Sequence, residues 1–147
     1  MDRDNLMIRM PNAMTVKVPQ RHAQLCANLI ASRKALGRRF GFDLISDPAG
    51  DMLLDLYARE GEGRATSVSS LPGAANVAYG TARRVILALE QRKILRRSPD
   101  PVDGRRFLIS LTNYATEVLE RAFDLIIDEP FSHYIDAGTT SQTKTRP

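Results

Sequence analysis

Apolar residues recur at helical spacing in four stretches of the chain and at a spacing of two in one, and that pattern predicts the elements. Over Gln20–Phe40, Leu25, Cys26, Leu29, Ile30, Leu36 and Phe40 form a broad stripe, with Arg33, Lys34, Arg38 and Arg39 elsewhere. Gly37 and Gly41 mark where this helix frays or ends. Asp47-Pro48 opens a second helix, because Asp47 can accept orphan amide hydrogens and Pro48 carries the preset φ of a first helical position. Ala49, Met52, Leu53, Leu56 and Tyr57 then repeat as a core stripe, and Gly61-Glu62-Gly63 ends it. Ala65–Val68 is a short strand.

Next come a brief helix over Ser70–Ala75, capped by Ser69 or Ser70, a turn at Asn76-Val77, and a longer helix over Ala78–Lys93. In the longer helix Ala78, Ala82, Val85, Ile86 and Leu89 face inward. Ile94–Ser98 and Arg106–Leu111 are strands, and Phe107, Ile109 and Leu111 share a face by the period of two. Asp103-Gly104 is a turn signal between them, and Pro99 and Pro101 bar a regular ladder through the tip. Thr112 caps a last helix, Asn113–Glu129, which Pro130 stops and Phe131–Ile135 can continue. Ala115, Val118, Leu119, Ala122, Phe123, Leu125 and Ile126 make it apolar on more than one face, as if it also met a partner chain.

Three regions follow. Residues 1–19 have no sustained period and are expected to be a flexible arm. Residues 20–135 form one domain, with a central unit at about 47–112. Residues 136–147 are rich in Thr, Ser and Gly and are expected to be disordered. The class is mainly α (α+β).

Charge sharpens the picture. Arg83–Arg106 holds eight cations against three anions, a net +5, whereas the 147-residue chain is +4. The basic character therefore lies in one helix-and-hairpin unit, the footprint of a nucleic-acid reader. Two helices joined by a short turn, the second basic, make a helix-turn-helix pattern. Ser69, Ser70, Tyr79, Gly80, Thr81, Arg83, Arg84, Arg96, Arg97, Arg105 and Arg106 are the candidate DNA contacts. Arg96 and Arg97 alternate faces, so at most one points at DNA and the other pairs with a carboxylate. Tyr79 is either a base or phosphate contact or a packed cap. Gly80 either allows close approach to a phosphate backbone or is a neutral flaw.

Other chemistries find little support. No apolar run approaches the roughly 20 residues of a membrane span, and Met1–Gln20 lacks the apolar core of a secretory signal. A cytoplasmic location is expected. Cys26 lies on an apolar stripe and reads as a buried, inert thiol. His22 and His133 are too far apart in sequence to suggest a metal site, and no cofactor is expected. Asp51 and Asp55 read as a polar helix face, no nucleophile–base set appears, and Gly61-Glu62-Gly63 lacks the Lys-Ser/Thr of a phosphate loop. The chain is expected not to be an enzyme.

From Asp47 to Leu119 the sequence resembles the MarR family of bacterial transcriptional regulators. The likeness rests on Pro48–Leu56, Thr81-Ala82-Arg83-Arg84, Leu89-Glu90 and Ile94-Leu95-Arg96-Arg97. Above all it rests on Asp100-Pro-Val-Asp-Gly-Arg105 leading to Ile109-Ser-Leu-Thr112. The resemblance implies a winged helix-turn-helix with flanking terminal helices that form a dimerisation region. It implies a homodimer on a pseudo-palindromic double-stranded operator, the Ala78–Lys93 helix in the major groove and Arg105 at the wing tip in the minor groove. Asp100, Asp103 and Gly104 would shape the wing, with Asp103 positioning the Arg105 guanidinium. Leu25, Leu29, Leu119, Phe123 and Ile126 are the candidate dimer contacts. A small aromatic or phenolic effector would bind between the DNA domain and the dimer helices. Lys93 stands where a glycine usually closes the reading helix, so that cap is expected to be made another way. Val102 stands where many members carry a cation. The alternatives are a winged-helix module that binds another protein, and a replication or plasmid-maintenance protein that binds DNA without regulating transcription.

Overall fold

The structure is a computed structural model that describes residues 18–128. The expected arm up to residue 17, Pro130, the Phe131–Ile135 continuation, His133 and the tail at 136–147 lie outside the described residues.

Four helices and a small antiparallel sheet follow one another as expected. The helices are α1 Gln20–Phe40, α2 Pro48–Gly61, α3 Tyr79–Gln91 and α4 Asn113–Asp128; the strands are β1 Thr66–Ser67, β2 Leu95–Pro99 and β3 Phe107–Leu111. Asp47 caps α2 as its sequence implies, accepting the Gly50 amide at 3.0 Å, with Pro48 in the first turn. Thr112 caps α4, accepting the Ala115 amide at 3.2 Å. The core gathers Met52, Leu56 and Tyr57 of α2, Leu71 and Ala75 of the turn region, Ala82 and Ile86 of α3, and Ile109 of β3. Helix α2 lies at its centre, touching α1, α3, β3 and the segment between β1 and α3.

That segment departs from expectation. A single 3-10 turn, Leu71–Ala74, replaces the brief helix, and neither Ser69 nor Ser70 caps it. The Ser67 hydroxyl accepts the Ser70 amide at 3.2 Å in a local serine turn, and the first-turn Gly73 amide is satisfied by the Ser70 carbonyl at 3.2 Å. Ala78, expected inside, is the exposed residue preceding α3.

The sheet has the order β1-β3-β2. Its register pairs Thr66 with Ile109 on one side, and Leu95 with Leu111 and Pro99 with Phe107 on the other. Pro99 belongs to the ladder after all, because β2 is an edge strand and a residue without an N–H is tolerated there.

Two helix ends repeat one motif with different residues. After α2, the Arg64 amide bonds to the Arg59 carbonyl (2.9 Å) and that of Gly63 to Glu60 (3.0 Å), with Gly63 at φ 71°. After α3, the Ile94 amide bonds to the Leu89 carbonyl (2.9 Å) and that of Lys93 to Glu90 (3.0 Å), with Lys93 at φ 57°. Both are Schellman caps. The α3 cap is therefore made in the usual way and not by another route, with a lysine held in the left-handed region that glycine enters at no steric cost. Replacing Lys93 with glycine is expected to stabilise the fold by about 1 kcal/mol, seen as a rise of a few degrees in thermal midpoint; an unchanged or lower midpoint would contradict this strain.

Buried Glu60 joins α2 to the sheet, its Oε1 accepting the Leu111 amide at 2.8 Å. Burial pushes its carboxyl up from 4.5 to about 7, against the lowering effects of the Leu111 hydrogen bond and of Arg96. A folded pKa above the unfolded one means that the folded state holds the proton more tightly. The resulting stabilisation is complete below pH 4.5 and is lost as pH rises through 7. The shift corresponds to about 3 kcal/mol. Glu60→Gln keeps the acceptor and removes the titration. Chemical unfolding at pH 5 and pH 8 is expected to show wild type losing stability relative to Glu60→Gln; parallel losses in the two would exclude this origin.

Candidate nucleic-acid interface

Helix α3 buries Ala82, Ile86 and Leu89 and turns its other sides outward. At 100° per residue, Gly80, Arg84, Leu87 and Gln91 lie opposite the buried stripe. All four are exposed, as are Tyr79, Thr81 and Arg83. Tyr79 is 61% exposed, so it is not the packed cap. A Cβ placed at Gly80 would meet nothing within 4 Å, so packing does not require glycine there. Tyr79 and Arg83 lean toward the sheet and line, with Val68, Pro72, Leu87 and Arg97, a shallow groove of about 290 Å³.

The wing is shaped by its own carboxylates. Asp100, buried at its base, accepts the Val102 amide at 2.9 Å, and its backbone amide donates to the Arg106 carbonyl at 3.0 Å. Asp103 accepts the Arg105 amide at 3.1 Å through its side chain and the Arg106 amide at 3.0 Å through its carbonyl. Asp103 thus fixes the backbone of the turn, and no ion pair joins it to the Arg105 guanidinium, contrary to expectation. Gly104 makes the tip without a left-handed φ. Arg105 and Arg106 stand in solvent.

The basic residues of this stretch divide by partner. Among the described residues no carboxylate pairs with Arg83, Arg84, Arg96, Arg105 or Arg106. Arg97 differs: its Nε donates to Glu90 Oε1 at 2.9 Å and its guanidinium lies 5.8 Å from the centre of the Phe107 ring. This is the carboxylate-paired member expected of the Arg96/Arg97 couple. Arg96 lies on the other face, close enough to lower the pKa of Glu60. Ser69 and Ser70 are exposed, with hydroxyls tied to Ser67 at 3.2 and 3.0 Å. Ser70 also borders a second cavity, between α1, α2 and the 3-10 turn.

The candidate dimer contacts separate as well. Phe123 is buried in its own protomer, 5.1 Å edge-on from Tyr57 and 5.9 Å from His22. Leu25, Leu29 and Leu119 pack partly buried against the same core. Of the five only Ile126, 56% exposed, is largely in solvent, and periodicity could not tell an inner face from an outer one. Tyr114, Val118 and Leu125 of α4, and Leu36, Phe40 and Leu44 near the end of α1, are exposed apolar side chains too. Cys26 is buried, its Sγ 3.2 Å from the Leu54 carbonyl, and burial followed by the Asp55 charge pushes the thiol up to about 11.

A cavity of about 400 Å³ lies between α1, α2 and the 3-10 turn, bordered by Ile30, Phe42, Ile45 and Ser70. Its ionic lining is largely self-paired, Arg33 with Asp51 and Arg59 with Asp55.

No family model matches the sequence, and no curated protein matches it significantly. Solved structures do. The structure of the S. aureus MepR–DNA complex superposes with a TM-score of 0.50 at 20% identity, covering 80% of this chain and 91% of that one. This is a winged-helix fold. A MepR variant bound to an oligodeoxyribonucleotide gives 0.49 at 25% identity over 84% of each chain. The PcaV transcriptional regulator of Streptomyces coelicolor, with its natural ligand, gives 0.44 at 19% identity over 76% of this chain and 90% of that one. In winged-helix terms α3 is the second helix of the helix-turn-helix and the β2–β3 hairpin is the wing. No described helix is long and apolar enough to cross a membrane.

Proposed function

We propose that this chain is a homodimeric, sequence-specific double-stranded DNA-binding regulator of transcription, acting in the cytoplasm and without catalysis of its own. The observation that carries the reading is the set of exposed cations, Arg83 and Arg84 on the recognition helix and Arg105 and Arg106 on the wing, none with a carboxylate partner among the described residues. A helix presented to the major groove and a wing-tip arginine presented to the narrow, electronegative minor groove are the contacts that such a surface makes. MepR, whose fold the chain shares, was solved with DNA, which supports a DNA-binding reading.

Within this reading, Gly80, Arg84 and Leu87 face the base edges. Arg83, Thr81, Tyr79 and Ser69 reach flanking phosphates, as does Ser70 if its hydroxyl turns away from Ser67. Arg96, on the back of the sheet, is left out of the contact set, and Arg97 supports it. The second copy covers the exposed side of α4 through Val118, Leu125 and Ile126, and two-fold symmetry then calls for a pseudo-palindromic operator. A small-molecule effector would enter the 400 Å³ cavity beside α1 and α2.

Selection of bound fragments from the source genome is expected to recover a pseudo-palindrome, with binding that falls steeply as salt rises. Arg105→Ala is expected to reduce the salt slope by about 1 per protomer contact. If no duplex is retained at low salt, the protein-interaction alternative takes its place. Light scattering is expected to give twice the chain mass, with Leu125→Asp/Ile126→Asp shifting it toward the monomer; a wild-type monomer at micromolar concentration would remove the symmetric operator.

A further inference from the structure

Helix α3 carries one carboxylate within the basic surface. Glu90, in the last turn of α3, holds the Arg97 guanidinium at 2.9 Å, and that guanidinium also lies over Phe107 of β3 at 5.8 Å. The three residues come from the recognition helix and both strands of the wing. A negative charge on a surface that meets phosphates is repelled by them, so Glu90 weakens binding unless it does something else.

The backbone suggests what that is. Helix α3 and β2 are joined by the tight cap at Arg92–Ile94, which fixes one edge of the angle between them. Arg97 lies one strand pitch farther along, on the side where Tyr79 and Arg83 border the groove. A planar guanidinium gripped by a carboxylate and resting on a ring restrains orientation as well as distance.

We propose that Glu90, Arg97 and Phe107 are positioning residues that set the angle between the recognition helix and the wing, and that Arg97 is not itself a phosphate contact. The proposal rests on the DNA-binding reading for its consequence and on the protein alone for its geometry. A fixed angle lets α3 and Arg105 engage two grooves at one spacing. It therefore governs discrimination between operator and random duplex more than attraction to DNA in general.

The first arm needs no DNA. Spin labels at Gln91→Cys and Val102→Cys, both on exposed sites, report the helix-to-wing distance in the full chain. Glu90→Gln, and separately Arg97→Lys, which keeps the charge but loses the planar fork, are expected to broaden the distance distribution; an unchanged width in both overturns the proposal. The second arm uses the duplex recovered by fragment selection and a scrambled one. Glu90→Gln and Arg97→Gln are expected to lower the specific-to-nonspecific ratio about tenfold or more with the salt slope unchanged, and the double variant to fall no further than either single one. A gain of affinity for both duplexes in Glu90→Gln, or a slope reduced by about 1 in Arg97→Gln, overturns it. If wild type binds no duplex while the distances still broaden, the DNA reading fails and the positioning role stands.

Discussion

The hydrogen bond from the Leu111 amide to the buried Glu60 carboxyl is the joint on which the wing rests. Strand β1 has only two residues and pairs with β3 at Leu108 and Ile109. The Leu111 amide, farther along that same edge, would be left as a buried donor without a strand partner, at a cost of about 1–3 kcal/mol. Glu60 reaches it from the last turn of α2. The central helix thus stands in for the missing strand, and the orientation of the wing is referred to α2 and not to a longer sheet. Burying a carboxyl for this purpose is costly when it is ionised, and its raised pKa is the visible trace of that conflict.

Other joints cluster close by. The Thr112 hydroxyl donates to the Lys93 carbonyl at 2.8 Å while accepting the Ala115 amide. One threonine therefore ties the end of α3, the end of β3 and the start of α4. Tyr57, one turn before Glu60, donates to Glu120 at 3.1 Å and packs on Phe123. At the far end of α4, His22 and Arg21 of α1 meet Asp124 at 2.6 and 3.5 Å. Helix α3 and the wing are therefore braced from behind by Glu60 and Thr112, whose side chains bond to backbone, which leaves the front of α3 free of structural duties.

Much of this was legible in the sequence because it was local. The Asp47-Pro48 start, the Thr112 cap and the alternation of Phe107, Ile109 and Leu111 each depend on residues within a few positions of one another. The resemblance at Asp100–Arg105 added the winged architecture. What escaped notice depends on tertiary placement. Glu60 reads as an ordinary last-turn carboxylate until β3 arrives beside it. Ser69 and Ser70 do not cap by side chain because the chain bends into a 3-10 turn whose Gly73 amide meets the Ser70 carbonyl. Phe123 has the spacing of an interface residue and the surroundings of a core residue, and only the position of α1 decides between them. Lys93 adopted a backbone conformation that its side chain disfavours because the cap geometry outweighed residue preference.

The charge excess of Arg83–Arg106 began as one feature and resolves into distinct uses. Arg97 is absorbed by Glu90 and Phe107, and Arg96 stands behind the sheet, where it moderates the buried Glu60. Arg92 and Lys93 follow the end of α3, where positive charge complements the helix dipole. Arg83, Arg84, Arg105 and Arg106 remain at the front. The sequence total therefore overstates the cations gathered on the front of α3 and the wing. A basic stretch that must also close a helix, orient a wing and tolerate a buried acid carries more charge than its contacts use, and sorting that charge by partner reveals which residues face outward.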